Sequence, residues 1–306
     1  MKRCIRRVPI PMLWKEQLLF FLKLGYWPDL EKPRSFSEKL NYRKLYEKDF
    51  RLVRLSDKVA VRDYVEKVAG KRYLIPVVFV GRKISTQELY NLGNDIVIKR
   101  NCDSGSAYMI KENSPGISET VVKDIGWDRD YGFITNEWWY REIEPKILVE
   151  KRLQDSAEDF PLDYKFFVFD SGGRKSCFIE VIRRRHDGVT ECGLFDSNLK
   201  RIVRDGTQVK RKGLSEFPGD FPAVDTFAEM KEVAFTLTSG FNFVRVDLYS
   251  VEGKVYFGEL TFCPSEGRTS FDPVSFDFEL GKIWGSSVLL DGLGQIAHGK
   301  YLVGHN

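Results

Sequence analysis

Arg245, Asp247 and Glu259 fall in a stretch whose alternation would bring them together. From Phe243 to Phe262 the chain reads FVRVDLYSVEGKVYFGELTF. Val244, Val246 and Leu248 alternate with Arg245, Asp247 and Tyr249. After a turn, Val255, Phe257, Glu259 and Thr261 alternate with Tyr256, Gly258, Leu260 and Phe262. This is the period-two pattern of half-buried strands. Gly253 suits a hairpin loop that needs a positive φ. A three-residue loop, Val251-Glu252-Gly253, sets Asp247 opposite Phe257 and Arg245 opposite Glu259, and all three charged residues then share a face. A two-residue loop shifts the register by one and turns Glu259 away. The three-residue loop is the expectation, because a Gly commonly closes such loops. Two carboxylates and an arginine on one face suit a hard cation. Mg²⁺ is the natural candidate, held by one or two carboxylates together with substrate phosphates. The plainer reading is a solvated face with an Arg–Glu cross-strand pair, worth about 0.2–1 kcal/mol.

A second group follows Lys99, which ends the apolar run DIVIK at 95–99. The loop RNCDSGS (100–106) comes next, with Asp103, Ser104, Gly105 and Ser106 at its tip. Ser and Gly residues can turn backbone N–H groups toward phosphate, and Lys99 adds a point charge. The chain has neither GxxxxGK[ST] nor GxGxxG, so the common phosphate-loop motifs are absent. An ordinary hairpin loop is the alternative. Further on, Arg183, Arg184 and Arg185 precede His186. That run could bind an anionic acceptor such as a uronate or sugar phosphate, or it could be a solvated strand end. No Ser-His-Asp or Cys nucleophile arrangement is evident.

The elements that must position these groups read as α+β. Helices are expected at 12–25, from Ser35 or Ser37 (Ser35 with Glu38 makes a capping-box pattern), at 57–68, 85–91 and 223–238, within 117–146, and at 276–290. Strands are expected at 75–80, 95–99, 107–110, 146–151, 164–170 and 176–183, before the hairpin. The first helix places Leu13, Trp14, Leu18, Phe21 and Leu22 on one broad side. It is expected to pack there as a cap on the protein's own core, with contact to a membrane surface as the less favoured reading. The chain of 306 residues is 42% hydrophobic and 30% charged, a soluble globular balance. A net charge of +4 is too mild to argue for nucleic acid. The five cysteines are scattered with no C-x-x-C pair, which fits a reducing cytosol rather than a disulfide framework.

The order of these parts carries a resemblance. SFSEKLNYRKLY (35–46), LSDKVAVRDYV, DSGS, DYKFFVF, FVRVDLY and YFGELTF occur in sequence. Over residues 33–281 the chain resembles the ATP-grasp superfamily, and within it the TupA-like proteins of polysaccharide biosynthesis. The resemblance implies an α+β ATP-grasp fold: two subdomains with mainly antiparallel sheets holding ATP between them, plus a short helical N-terminal extension. The segments would be 1–55 (extension), 56–148 (lid, with the phosphate loop) and 149–306 (large subdomain). It implies that Lys58 and Lys99 contact ATP phosphates, that the loop from Asp103 to Ser106 closes over them, and that Lys165 lies nearby. Glu150, Lys151 and Leu153 would belong to a hinge strand that meets adenine. Asp247 and Glu259 would hold Mg²⁺, with Thr261 where many relatives carry a metal-binding Asn, and Arg245 would stabilise an acyl-phosphate. The implied activity is a carboxylate–amine ligase that joins an amino acid to a sugar or uronate of a cell-surface polysaccharide. The setting would be cytoplasmic or the inner face of the membrane. Two other classes stay open: a glycosyltransferase using Asp128-Arg129-Asp130 as a D-x-D motif, and a non-catalytic nucleotide- or glycan-binding module.

Overall fold

A computed structural model describes residues 10–105, 107–111, 131–154, 160–184, 188–219, 224–284, 288–291 and 295–298. Two mainly antiparallel sheets face each other across a cavity. The smaller contains β1 (Val77–Gly81), β2 (Ile96–Arg100), β3 (Ala107–Ile110) and β4 (Ile147–Lys151), in the order β1-β4-β2-β3. Ile96, Ile98, Ile110, Ile147 and Val149 bury one side of it against Ile84 and Leu89. Leu89 belongs to a short helix, Thr86–Asn91, started by a capping box between Ser85 and Glu88.

The larger sheet contains β5 (Asp163–Ser171), β6 (Arg174–Arg184), β7 (Thr190–Phe195), β8 (Phe243–Val251) and β9 (Lys254–Thr261). A two-residue strand, Ser215–Glu216, lies parallel to β7 at one edge, and β9 forms the other. Strand alternation divides its residues between two layers. Tyr164, Phe166, Val244, Val246 and Leu248 point one way, toward the helix Phe227–Leu237; Phe166 stacks on Phe227 with ring centroids 5.9 Å apart. Phe167, Phe169, Phe178 and Phe243 point the other way. Phe36 of α2 (Phe36–Tyr46) and Phe276 of the helix Ser275–Ile283 cover them, at 4.8 Å from Phe243 and 5.7 Å from Phe178. Fully burying one such ring is worth about 1.5–3 kcal/mol. The same face therefore has a dry aromatic end and, farther along β5 and β8, a charged end.

α2 begins with the expected capping box: the Glu38 amide donates to Ser35 Oγ (3.1 Å) and the Ser35 amide donates to Glu38 Oε2 (2.9 Å). From its buried face Arg43 donates to the carbonyls of Phe243 (3.0 Å) and Phe262 (3.1 Å), fixing both outer ends of the β8–β9 hairpin.

Several boundaries differ from the sequence reading. Asp57 caps the end of a short helix, Arg51–Ser56, and the next helix starts only at Val61. The last helix stops at Ile283, and residues 288–291 are strand. The N-terminal helix α1 (Met12–Leu24) presents the opposite side from the one expected. It buries Glu16, Leu19 and Phe20, whereas Trp14, Phe21 and Leu22 are exposed. The reason is electrostatic. Glu16 is 1% exposed and accepts from Lys44 Nζ (2.7 Å) and Arg268 Nη1 (2.8 Å), partners that lie far along the chain. Cys102, Cys177, Cys192 and Cys263 are buried free thiols; Cys4 lies outside the described residues.

Candidate active site

The hairpin reaches the expected arrangement by a different route. Val251 pairs with Lys254 across a two-residue turn, and both turn residues have positive φ (Glu252 50°, Gly253 70°). The three-residue loop is therefore wrong, and by itself this register would turn Glu259 away. A bulge corrects it. Leu248 pairs with Phe257 but Asp247 pairs with Glu259, so Gly258 is the extra residue. Such a bulge re-aims the side chain that follows it. A Cβ on Gly258 would lie 2.9 Å from Tyr249 Cε2 and 3.1 Å from the Asp247 carbonyl oxygen, which explains the glycine. Arg245 now stands opposite Thr261 rather than Glu259.

Arg245 Nε and Nη2 donate to the two oxygens of Asp247 (2.6 and 2.7 Å), and Nη2 also donates to Glu259 Oε1 (2.8 Å). Thr261 Oγ1 donates to the same Glu259 oxygen at 2.8 Å. On the neighbouring strand Lys165 lies opposite Asp247; its Nζ donates to Asp247 Oδ2 (2.5 Å) and is 2.7 Å from Asp163 Oδ2. Burial pushes the Asp247 carboxyl above its ordinary range, against the pull of Arg245 and Lys165. Burial acts on Glu259 in the same direction, but Arg245, Lys58 and Lys165 outweigh it and hold the carboxyl at about 2. Tyr249 stays protonated well above the usual phenol range, because the Asp163 carboxylate faces it and desolvation disfavours the phenolate.

The small sheet, together with the turn and helix at 57–68, brings further charges to this floor. Lys58 Nζ donates to the Asp103 carbonyl, and the Lys58 amide donates to Asn101 O (3.1 Å). Asn101 ties this corner together, donating to Asp57 Oδ1 (2.9 Å) and accepting from the Lys146 amide (2.6 Å). Lys99 Nζ and Arg62 Nη1 each donate to Glu150 at 2.8 Å. Between the sheets lies a cavity of about 610 Å³, within the range of small-molecule sites. Its apolar lining comes from Ile75, Val97, Ala107, Met109, Leu153, Phe160 and Pro161. The charged lining includes Lys58, Lys99, Lys165, Arg184, Arg245, Asp163, Asp247 and Glu259.

A family model described as TupA-like ATPgrasp matches residues 38–284. The chain belongs to that family. No curated protein sequence matches it. Among solved structures, it is similar to a D-alanine–D-alanine ligase from Helicobacter pylori: 14% identity, covering 80% of this chain and 66% of that one, TM-score 0.43. It is also similar to a D-alanine–D-alanine ligase from Bacillus anthracis complexed with ATP (15%, 69% and 56%, TM-score 0.37). A third likeness is to a phosphoribosylamine–glycine ligase from Thermotoga maritima (14%, 71% and 51%, TM-score 0.38). The chain thus spans less than two thirds of the length of each. Likenesses this distant add nothing to the family match.

On the ATP-grasp frame, the cavity gathers Lys58, Lys99, Asp103, Ser104, Gly105, Glu150, Lys151, Leu153, Lys165, Arg245, Asp247, Glu259 and Arg184. Thr261 sits behind Glu259, its hydroxyl engaged there. Arg183 does not join the cavity. It faces the other way, 2.7 Å from Glu191 Oε2 and over the Phe217 ring at 4.6 Å, because consecutive strand residues point to opposite faces. Ser106, Arg185, His186 and Asp128–Asp130 lie outside the described residues. Sequence reasoning passed over Arg62, Asn101, Asp163 and Tyr249. For Asp163 and Tyr249 the alternation already held the signal, since each is two positions from a named site residue.

Mg²⁺ is expected on Asp247, Glu259 and Thr261. Among the described residues no group of three or more His, Cys, Asp or Glu side chains forms a ready-made metal cage. Asp247 and Glu259 offer hard oxygen donors side by side on paired strands. That suits an ion which completes its shell with phosphate oxygens and water. The residues present fit it.

Proposed function

We propose that this protein is an ATP-dependent carboxylate–amine ligase working through an acyl-phosphate. It would join an amino acid to a sugar of a cell-surface polysaccharide or its precursor, in the cytoplasm. The observation that carries the reading is the paired Asp247 and Glu259, both bonded to Arg245, flooring a cavity lined from the other side by Lys99 of the small sheet and by Lys58 of the turn before the helix Val61–Val68. Family membership supports ATP as the co-substrate, and the polysaccharide context rests on that kinship alone.

A carboxylate resists attack by an amine because oxide is a poor leaving group. In the first step a carboxylate oxygen of the substrate attacks the γ-phosphorus of ATP, the bond to the β–γ bridging oxygen breaks, and ADP leaves. In the second step the amine nitrogen attacks the acyl carbon, the C–O bond to phosphate breaks, and the nitrogen loses its proton. The protein's part is position and charge. The apolar slot by Val97, Met109 and Leu153 suits a purine ring. Lys58 and Lys99 neutralise phosphate oxygens, and Lys165 and Arg245 hold positive charge beside the transferring group. Asp247 and Glu259 would hold Mg²⁺, which when bound supplies further charge to the triphosphate. Thr261 orients Glu259 through its hydroxyl.

The test is ADP release with a panel of amino acids and uronate-containing sugars, followed by mass analysis of the product. The expected product weighs the sum of both substrates less one water. UDP-sugar turnover without ATP would favour a glycosyltransferase instead. Nucleotide binding with no turnover would favour a binding module.

A further inference from the structure

The outward side of α1 is apolar and aromatic, and nothing in the catalytic reading uses it. Trp14 is 62% exposed, Phe21 43% and Leu22 40%; Trp27, just beyond the helix, is 58% exposed and packs its ring 5.9 Å from that of Phe21. Trp14 and Phe21 are seven residues apart, so they stand on one stripe of the helix, two turns from each other. An exposed aromatic patch of this kind marks a surface that meets something.

The charge distribution says what it meets. The first 34 residues contain eight Lys and Arg against three Asp and Glu, one of which is the buried Glu16. The rest of the chain contains 40 against 41. The whole positive excess of the protein therefore lies in the segment that carries the aromatic stripe. Two such segments would repel each other, which argues against a second copy of the chain as the occupant. A segment that joins a basic sequence to an exposed aromatic helix side suits the boundary between anionic headgroups and acyl chains. We infer that α1 docks this protein on an anionic lipid bilayer, with Trp14, Phe21, Leu22 and Trp27 entering the interface.

No described helix is long and apolar enough to cross a membrane, so the contact is peripheral. It is also rigidly placed. The inner side of α1 is clamped through Glu16 to Lys44 and Arg268, and Lys44 donates to the carbonyl of Glu266 (2.8 Å). Glu266 follows the end of β9 by only a few residues, so docking would fix the cavity relative to the bilayer.

The experiment is co-flotation of the full chain with phosphatidylcholine–phosphatidylglycerol vesicles, with phosphatidylcholine vesicles alone, and at high salt. The parent should float with the anionic vesicles, less so as salt rises, and not with the neutral ones. The double variant Trp14→Gln/Phe21→Gln should lose vesicle partitioning by about tenfold or more. Its fold and its stabilisation by ATP should be retained, with at most a small fall in melting temperature from the lost Phe21–Trp27 contact, because both side chains are exposed and neither lines the cavity. No flotation of the parent with anionic vesicles would overturn the inference, as would equal flotation of the double variant. A parent dimer that the double variant dissolves, without lipid binding, would also overturn it and assign the stripe to a second copy.

Discussion

Lys165→Met keeps a long unbranched side chain at the centre of the site and removes only its charge. Lys165 Nζ stands between Asp247 Oδ2 at 2.5 Å and Asp163 Oδ2 at 2.7 Å, and the side chains of both acids are 3% exposed. Without the ammonium, Asp247 still has Arg245, whereas among the described residues the cation left to Asp163 is Arg184, with Nη2 at 3.8 Å. Removing one partner of a buried ion pair costs about 3–5 kcal/mol. The cavity beside it lets water soften that cost, so we expect about 3 kcal/mol. Each kcal/mol moves the midpoint by roughly 2–4 °C in chains somewhat shorter than this one and by less in longer ones, so the melting temperature should fall by up to roughly 6–12 °C. Two further measurements give the mechanism. Mg²⁺ should recover part of the loss, because a cation that binds only the folded carboxylates stabilises by mass action. Adding Asp163→Asn should also recover part, since it removes the acid left without its nearest cation. Thermal melts by circular dichroism, with and without Mg²⁺, read all three. A Lys165→Met variant that melts within a degree of the parent, or a double variant no more stable than the single, would refute the electrostatic account of the site.

Gly258→Ala should cost about 1–3 kcal/mol of stability through overpacking against Tyr249 and Asp247. It should lower turnover by roughly a hundredfold by displacing Asp247; unchanged turnover with a native melting temperature would discard the bulge as a positioning device. Glu137 is buried, and burial, only partly offset by Lys44, raises its carboxyl to about 8 from an ordinary 4.5. The folded state therefore holds this proton more tightly than the unfolded chain, and the group's contribution to stability is full below about pH 4.5 and is lost as pH rises toward 8. Glu137→Gln should flatten that part of the stability–pH curve and be the more stable protein at pH 8, by on the order of a few kcal/mol. Denaturant melts at pH 5 and pH 8 check both statements.

That Arg245 and Asp247 share a face was legible in the sequence because strand alternation is a local property; that Glu259 joins them depends on the bulge. The hairpin's turn was not legible. Gly253 serves a two-residue turn as well as it closes a three-residue one, and only the bulge decides between registers. The available signal was Gly258 itself, an isolated glycine in a strand pattern, which often marks a bulge or a close backbone approach. Arg183 and Arg184 could have been separated by the same alternation that grouped Arg245 with Asp247. α1 was harder. Its apolar residues form a broad side that reads as a core face, yet the helix docks through Glu16, whose partners Lys44 and Arg268 come from other elements. A buried acid satisfied from so far along the chain leaves no local trace. The grip of Arg62 and Lys99 on Glu150 is hidden for the same reason, since it depends on how β2 and β4 pair.

The central claim is that Asp247 and Glu259 together receive the metal that accompanies ATP. The most direct measurement is the shift in melting temperature caused by ATP, with Mg²⁺ and with EDTA, in the parent and in Glu259→Gln. The variant should fold normally, since Arg245 keeps both of its bonds to Asp247. In the parent, Mg²⁺ should enlarge the ATP-induced shift. In Glu259→Gln, the shift from ATP alone should survive while the Mg²⁺-dependent part disappears. An undiminished Mg²⁺ increment in the variant, or a parent that ATP does not stabilise at all, would contradict the account.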